Sequence, residues 1–269
     1  METIENARGD AAEPPSRSTS FGTRAVAYAQ HRPGYPVDAV RWALAPVTDS
    51  GAANLRGVAV LDLAAGTGKL TEVLAAQGAE VVAVDPDPAM LAELSRRLPG
   101  VQTLSGRAEL IPAPDAAFDA VVAGQAFHWF DMDEAMGEIG RVLRPGGVVA
   151  ALWNLEDVRV SWVAGLAEVS VLPRDLLTWQ EDATIFAEHE GFGTPERSEF
   201  AHPQELTTGA FVARMATRSS LIVMAEDERA QVLARVRGYL RARPETASGS
   251  FVLPTVTGVD RATRAEASS

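Results

Sequence analysis

The chain has 269 residues, 46% of them hydrophobic, which suits a single α/β domain with a sizeable core. Its formal charge is −12, from 24 basic and 36 acidic residues, and no basic run supplies the positive stripe typical of nucleic-acid enzymes. The absence of cysteine excludes disulfides and thiolate chemistry. We therefore expect a small-molecule partner held in a local pocket, and no nucleic acid.

The chain shows no targeting or membrane segment. Residues 1–20 carry charged side chains and no apolar run, which excludes a signal peptide. No stretch reaches the roughly 18 continuous apolar residues of a membrane span. We expect a cytoplasmic protein, no membrane partner, and one domain at 21–258 between flexible tails at 1–20 and 259–269.

Strand and helix patterns alternate through the first part of the chain. Apolar runs typical of parallel strands predict strands at 58–63, 80–84, 101–104, 118–123 and 148–153. Helical spacing predicts helices at 69–77, 88–98 and 132–143, the second with Asp87 as N-cap and Pro88 in its first turn. This alternation predicts an α/β fold with a doubly wound parallel sheet and right-handed crossovers.

The pattern changes after Asn154. Residues 162–172 have helical spacing, and 197–200 form a candidate strand. Two helices are predicted at about 204–217 and 226–241, followed by a last strand near 251–256.

A glycine turn between the first strand and the first helix of this series predicts a nucleoside cofactor. The segment 58–69 runs from a buried strand through Asp62, Gly66 and Gly68 into the helix, and the next strand ends in Asp85. Backbone N–H groups of such a turn face the ligand, and the acid takes the ribose hydroxyls. Asp85 could instead cap the following helix, but Asp87 is better placed for that role.

Three cofactors compete for this turn. A phosphate-binding loop fails at both ends, because Leu63 and Leu70 stand where glycine and a hydroxyl residue are required. A dinucleotide turn fails at its third glycine, which is Thr71. The remaining candidate is the turn of the class I S-adenosylmethionine-dependent methyltransferases, which Asp62, Gly66 and Gly68 fit. Ala64 replaces its first glycine, and we expect a negative φ there.

Further motifs strengthen this resemblance. They are Ala27-Tyr-Ala-Gln-His-Arg-Pro-Gly-Tyr-Pro36, Asp85-Pro-Asp-Pro-Ala-Met-Leu91, Gly106-Arg-Ala-Glu109, Phe118-Asp-Ala-Val-Val-Ala-Gly-Gln-Ala-Phe-His-Trp-Phe130 and Val142-Leu-Arg-Pro-Gly-Gly147. In this order they resemble class I methyltransferases, most of all the small-molecule group that includes the trans-aconitate methyltransferase-like enzymes. The resemblance covers roughly residues 21–155.

The resemblance implies a Rossmann-like, seven-stranded, mostly parallel sheet with one antiparallel member and helical lid elements. It divides the domain into an N-terminal lid at 21–56, a cofactor-binding core at 57–154, and a substrate cover with the last strands at 155–258.

The resemblance also implies roles for individual residues. The turn and Asp62 receive the methionine part of the cofactor, Ala108 and Glu109 contact adenine, and Arg32 of the lid pairs with the cofactor carboxylate. The full cofactor-binding set is Tyr28, Arg32, Asp62, Ala64, Gly66, Asp85, Pro86, Ala108, Glu109, Gln125 and Phe127. Structural packing is the alternative for the lid residues, and a solvated loop acid is the alternative for Glu109.

His128 is the candidate general base, because it follows the fourth strand on the ligand side of the sheet and imidazole titrates near neutrality. The alternative is a histidine packed between Phe127 and Trp129. No metal site is predicted. Arg159, Arg174 and Arg214 could form a local receptor for an acidic acceptor.

The predicted activity is methyl transfer from S-adenosylmethionine to an oxygen, nitrogen or carbon atom of a small molecule. Two alternatives remain: a non-methylating enzyme that uses the bound sulfonium as an electrostatic element, and a cofactor-binding regulatory protein. A nicotinamide-dependent oxidoreductase is disfavoured by Thr71.

Overall fold

The computed structural model describes residues 32–48, 54–170, 185–186 and 189–266. A seven-stranded sheet has the order β3-β2-β1-β4-β5-β9-β6, and β9 is its antiparallel member. Its strands are β1 (Ala59–Leu63), β2 (Glu80–Asp85), β3 (Gln102–Ser105), β4 (Phe118–Gly124), β5 (Leu143–Glu156), β6 (Glu196–Ala201) and β9 (Thr255–Thr263), and β7 (Gln204–Thr207) pairs with β8 (Ser250–Leu253) in a second sheet. The predicted fold class is confirmed.

Helices lie on both faces of the large sheet and beyond its carboxyl edge. They are α1 (Val37–Leu44), α2 (Lys69–Ala76), α3 (Pro88–Arg97), α4 (Met132–Val142), α5 (Ser161–Ser170), α6 (Thr208–Ala216), α7 (Ser219–Ile222) and α8 (Glu226–Arg241). The predicted start of α3 is confirmed, because the Asp87 carboxylate accepts a hydrogen bond from the Ala89 N–H at 2.9 Å. No helix of the described residues is long and apolar enough to cross a membrane.

Two hydrophobic cores cover the two faces of the sheet. One includes Leu61, Val121 and Ile139, and the other includes Val60, Val122 and Leu44. Successive residues of β1 and β4 alternate between them, as the period of a strand requires. The helix α1 belongs to the second core, so this part of the predicted lid is a layer of the sheet.

A third core forms beyond the sheet from α5, α6, α7 and α8 with β7 and β8. The prediction of one helix over 204–217 is wrong at its start, because Gln204–Thr207 is a strand and Thr207 then caps α6 through the Ala210 N–H. The predicted last strand at 251–256 is likewise two strands, β8 and β9.

The limits of β5 and β9 also differ from the predicted ones. β5 begins at Leu143, and the Pro145-Gly146-Gly147 segment lies within it at a shift of register against β4. β9 continues to Thr263, so the domain does not end at 258. Its charged residue Asp260 gives that segment a polar sequence, but it is fully buried and accepts two hydrogen bonds from Arg197 at 2.6 and 2.9 Å.

Candidate active site

The reversal of strand order places the site between β1 and β4. From β1 the strands run β2 and β3 on one side and β4 and β5 on the other, and an open α/β sheet binds its ligand at this switch point, outside the carboxyl ends. The Tyr35 ring packs directly over Gly124, the last residue of β4, and leaves no room for a side chain there. The N-terminal segment therefore reaches this edge of the sheet.

The glycine turn that follows β1 is held by backbone hydrogen bonds, one to β2 and one within the turn. The Ala65 N–H donates to the Val84 carbonyl at 3.0 Å, and the Gly68 N–H donates to the Ala65 carbonyl at 2.9 Å. The expectation of a negative φ at Ala64 is wrong, since its φ is +55°. Because the turn requires a left-handed residue at this position, alanine occupies it with strain that glycine avoids.

Asp62 is a buried acid with an unused oxygen. It is 1% exposed, and its Oδ2 accepts a hydrogen bond from the Thr71 hydroxyl at 2.5 Å. Its Oδ1 has no hydrogen-bond partner among the described residues. Burial raises the pKa of Asp62 to about 7, against the bonds from Thr71, and the neighbouring Asp85 adds to the rise. A cationic group bound at Oδ1 would satisfy this oxygen and favour its charge, so the site fits the cofactor's amino group.

Asp85 closes the turn from the neighbouring strand. Its Oδ2 accepts the Gly66 N–H at 2.8 Å, and its Oδ1 accepts the Asp87 N–H at 2.8 Å. Burial raises the pKa of Asp85 to about 6, although both bonds act against the rise. Each oxygen keeps a second lone pair, so ribose hydroxyls can still donate to it. Pro86 follows it and is exposed beside the turn.

The predicted adenine-contacting pair lies on the loop after β3. Ala108 is buried, and Glu109 is half-buried. The Glu109 Oε1 accepts the Asp131 N–H at 3.0 Å, which ties this loop to the start of α4. The adenine contact stays a prediction.

Gln125 and Phe127 follow β4, as expected, but their side chains have structural partners. Gln125 has a φ of +61°, and its side-chain amide donates to the Asn154 carbonyl on β5 at 2.8 Å. Phe127 is 2% exposed and packs against Phe130 and Phe186, with ring centroids 5.1 and 5.2 Å apart. The Phe127 side chain therefore belongs to the core, not to a ligand surface.

His128 lies on the short 3-10 helix Phe127–Trp129, directly after β4. It is exposed, and its ring contacts Trp129 and Trp153, with centroids 4.5 and 5.4 Å away. The contact with Trp129 belongs to the packed alternative, and Trp153 is a second indole neighbour, so the role of His128 stays a prediction. The imidazole lies at the carboxyl edge of β4 and β5.

Arg32 is the first described residue of the N-terminal segment, and it donates to the Thr217 carbonyl at 3.4 Å. It adds to the positive field of Arg214 and Arg218 around Glu156. Its pairing with the cofactor carboxylate stays a prediction. Tyr28 and Arg174 lie outside the described residues.

Sequence reasoning missed several polar residues of this edge. Thr71 was considered only as a misplaced glycine, yet its hydroxyl orients Asp62. Asn154 joins three segments, because it donates to the Gly34 carbonyl at 2.9 Å and accepts from the Thr257 hydroxyl at 2.6 Å. The available signal for Thr71 was a hydroxyl nine residues after the acid, in the first turn of α2, whereas the partners of Asn154 are distant in sequence. No cluster of metal-ligating residues occurs within the described ranges.

Comparison with known proteins shows that the chain is similar to methyltransferases. A family model described as a methyltransferase domain matches residues 61–151. An uncharacterized methyltransferase of Mycobacterium tuberculosis is 42% identical over 92% of this chain and 97% of its own length. A solved protein of Anaeromyxobacter dehalogenans, described as a candidate type II methyltransferase, is 26% identical with a TM-score of 0.62, covering 87% of this chain and 97% of its own.

The same fold also occurs in a solved [4+2]-cyclase. That structure is 17% identical to this chain, with a TM-score of 0.51 over 94% of this chain and 98% of its own. At this identity the likeness concerns the fold alone.

Proposed function

The chain belongs to the class I S-adenosylmethionine-dependent methyltransferases, and from that premise we propose that it methylates an oxygen, nitrogen or carbon atom of a small-molecule acceptor. The observation that carries the proposal is the pair of buried acids at the switch point. The unused Asp62 oxygen suits an ammonium group, and the Asp85 carboxylate suits a diol. Phosphate groups would be repelled by these two acids.

The residues that would hold the cofactor form a continuous edge. Asp62 and the turn would bind the methionine part, Asp85 the ribose, and the loop at Ala108 and Glu109 the adenine. When bound, the cofactor supplies an electrophilic methyl carbon on a positive sulfonium. The chain's own task is to orient an acceptor toward that carbon and exclude water from the pair.

His128 is proposed to take the acceptor's proton. Its ring follows β4 and lies beside Trp153 at the end of β5, where an acceptor would approach the methyl group. Because the imidazole is exposed between two indoles, an acceptor hydroxyl or ammonium group can reach it.

The finer resemblance, to the group of the trans-aconitate methyltransferase-like enzymes, is part of this proposal. It is supported by the segment 27–36, of which 32–36 are described. The overall charge of −12 supports a small acceptor over a nucleic acid. We also propose a cytoplasmic location.

Isotope transfer tests the proposal. The purified chain is incubated with deuteromethyl-labelled S-adenosylmethionine and a small-molecule extract of the producing cell, and products are analysed by mass spectrometry. A labelled small molecule that is absent with an Asp85→Ala control is the expected result. Cofactor binding with no labelled product from a metabolically complete extract would favour a non-methylating enzyme, a possibility that the cyclase on this fold makes concrete.

A further inference from the structure

A buried cluster lies at the carboxyl end of β5, and in it two arginines of the described residues share one carboxylate. Arg214 and Arg218, at and just beyond the end of α6, both donate to Glu156, the last residue of β5. Their side chains are 5% and 12% exposed, and that of Glu156 is 11% exposed. Arg32 adds a third positive charge to the field around the same carboxylate.

The hydrogen bonds within the cluster leave capacity unused. Arg214 reaches Glu156 Oε1 at 2.8 Å, and Arg218 donates to the same oxygen. The two guanidinium groups therefore share one acceptor atom. The Nη1 of Arg218 is buried and has no hydrogen-bond partner in the part of the chain that the structure describes.

Within the described ranges, the neighbouring acids do not supply a second negative charge. Asp157 accepts from Arg159 at 2.7 Å, and Glu199 accepts from the same arginine at 3.1 Å. Arg159 of the predicted receptor is thus already paired, and half of its side chain is exposed to solvent. Arg214 of that receptor belongs to the cluster, whereas Arg218 was not among the predicted residues. Burial lowers the pKa of Arg218 to about 10, so it keeps its charge at neutral pH.

The cost of this arrangement indicates a ligand. A buried cation without a counter-charge costs several kcal/mol, and the guanidinium groups of Arg214 and Arg218 here share the single carboxylate of Glu156. A planar oxyanion fits the fork of Arg218 and supplies the missing charge.

The cluster lies over the same edge of the sheet as the methyl-transfer site. β5 pairs with the end of β4 at Leu152, and Glu156 is four residues further along the strand. At about 3.3 Å per residue, this places the cluster roughly 13 Å beyond the end of β4. Asn154 lies on β5 between Leu152 and Glu156, and its side-chain amide donates to the Gly34 carbonyl. This bond holds the segment that contains Arg32 against the end of β5.

We infer that Arg214 and Arg218, with Arg32 beside them, bind an oxyanion, either a carboxylate or a phosphate, carried by the methyl acceptor. The inference rests on the proposed function of the site. Glu156 is the resident counter-charge that orients the two arginines, and the ligand oxyanion occupies the unused donor of Arg218. The acceptor is therefore a small organic acid or phosphate ester, methylated at an atom several bonds away from its anionic group.

Binding of simple anions tests the inference. The full chain, saturated with S-adenosylhomocysteine, is titrated calorimetrically at constant ionic strength with succinate, glycerol phosphate and uncharged succinamide. We expect wild type to bind one or both anions and not succinamide, and the stronger of the two identifies carboxylate or phosphate. If neither succinate nor glycerol phosphate binds, the inference is overturned.

Three variants separate a binding site from a structural triad. Arg218→Gln is expected to weaken anion binding at least tenfold. Arg159→Gln, the matched control that removes an equal charge from a paired arginine, is expected to change it less than twofold. Glu156→Gln is expected to strengthen anion binding, because it removes the competing carboxylate. Equal effects of Arg218→Gln and Arg159→Gln, or weaker anion binding by Glu156→Gln, would contradict the inference.

S-adenosylhomocysteine affinity, measured in the same series, distinguishes the cofactor from the acceptor. Arg218→Gln is expected to leave it within twofold, and a tenfold loss there without loss of anion binding would assign the cluster to the cofactor's carboxylate. If Arg218→Gln does not fold, Arg218→Lys replaces it, since it keeps the charge and loses the planar fork. Failure of wild type to bind S-adenosylmethionine would refute the proposed function, while an Arg218-dependent anion site would still stand.

Discussion

The carboxyl group of Asp62 is buried in the core, so its ionised form lowers the stability of the folded chain. Its pKa is about 7 in the folded chain against an ordinary 3.8, so between these values the folded state binds the proton more tightly than the unfolded state. Stability from this group is therefore full below the ordinary pKa and is lost as pH rises through about 7. The same charge is what the cofactor's ammonium group requires.

Asp62→Asn is accordingly expected to make the folded chain more stable at high pH and to weaken cofactor binding. The amide keeps an acceptor for Thr71 and removes the buried charge. Relative to wild type, its melting temperature should rise at pH 8 and change little at pH 5, while S-adenosylmethionine binding weakens at least tenfold. A variant that is less stable than wild type at pH 8 would show that the carboxylate has a cationic partner within the chain.

Asp85→Ala is expected to weaken cofactor binding at least tenfold, as measured by titration. Two effects contribute, because the substitution removes the ribose acceptor and also frees the Gly66 N–H that the carboxylate holds. Asp85→Asn retains an acceptor for that N–H and should recover the turn but not the full affinity. Unchanged affinity in the alanine variant would remove Asp85 from the site.

Ala64 offers a test of backbone strain. Its φ of +55° disfavours any side chain, so Ala64→Gly is expected to raise the free energy of unfolding by about 0.5–1 kcal/mol. Ala92→Gly, on the exposed face of α3, is the matched control and should lower it by about 1 kcal/mol. Urea denaturation of both variants measures the difference, and a destabilised Ala64→Gly would refute the strain.

His128→Ala is expected to lower kcat roughly 100-fold, because the variant has no group to take the acceptor's proton. The assay uses the acceptor identified by isotope transfer, and His189→Ala controls for loss of a histidine elsewhere. A His128→Ala variant with the wild-type rate from about pH 6 to about pH 9 would end the proposal of a general base.

At the scale of elements, the turn between β1 and α2 contains two glycines, Gly66 and Gly68, that serve different purposes. A Cβ at Gly68 would lie 2.8 Å from Leu94 Cγ on α3, whereas a Cβ at Gly66 has no described atom within 4 Å. Both residues have positive φ. Gly68 therefore serves the packing of the turn against α3, and Gly66 leaves open the space above the turn.

The two glycine-to-alanine variants should separate these demands. Gly68→Ala is expected to cost about 2 kcal/mol of stability, because strain and the contact with Leu94 add together. Gly66→Ala should cost only about 1 kcal/mol but weaken cofactor binding more. Urea denaturation and cofactor titration, each on both variants, give the comparison, and a reversed order of stability would contradict it.

Elements with local signals were predicted well from the sequence. The bounds of β1, α2 and α8 were right to within one residue, because buried runs, a glycine stop and helical spacing specify them within their own length. β7 and the end of β9 were missed, since their partners lie far along the chain. The positive φ of Ala64 is likewise imposed by bonds to β2 and not by its own side chain.

At the scale of the molecule, the three hydrophobic cores support different parts of the site. Two cover the sheet and support β1, which carries Asp62. The third contains α6, which the ion pair between Arg214 and Glu156 joins to the end of β5. Sequence patterns predicted the first two cores through the alternation of strands and helices. Of the arginine cluster that joins the third core to the sheet, only Arg214 was predicted, because Glu156 lies more than fifty residues before both arginines and meets them only through packing.

The most direct test of the account is calorimetric titration of S-adenosylmethionine into the wild-type chain at pH 5.5 and pH 7.5. Since binding requires ionised Asp62, whose pKa is about 7, we expect one site per chain, tighter affinity at pH 7.5, and proton release at pH 5.5. Equal affinity and no proton release at the two pH values would show that Asp62 does not receive the ammonium group. Absence of binding at both would contradict the assignment of the cofactor.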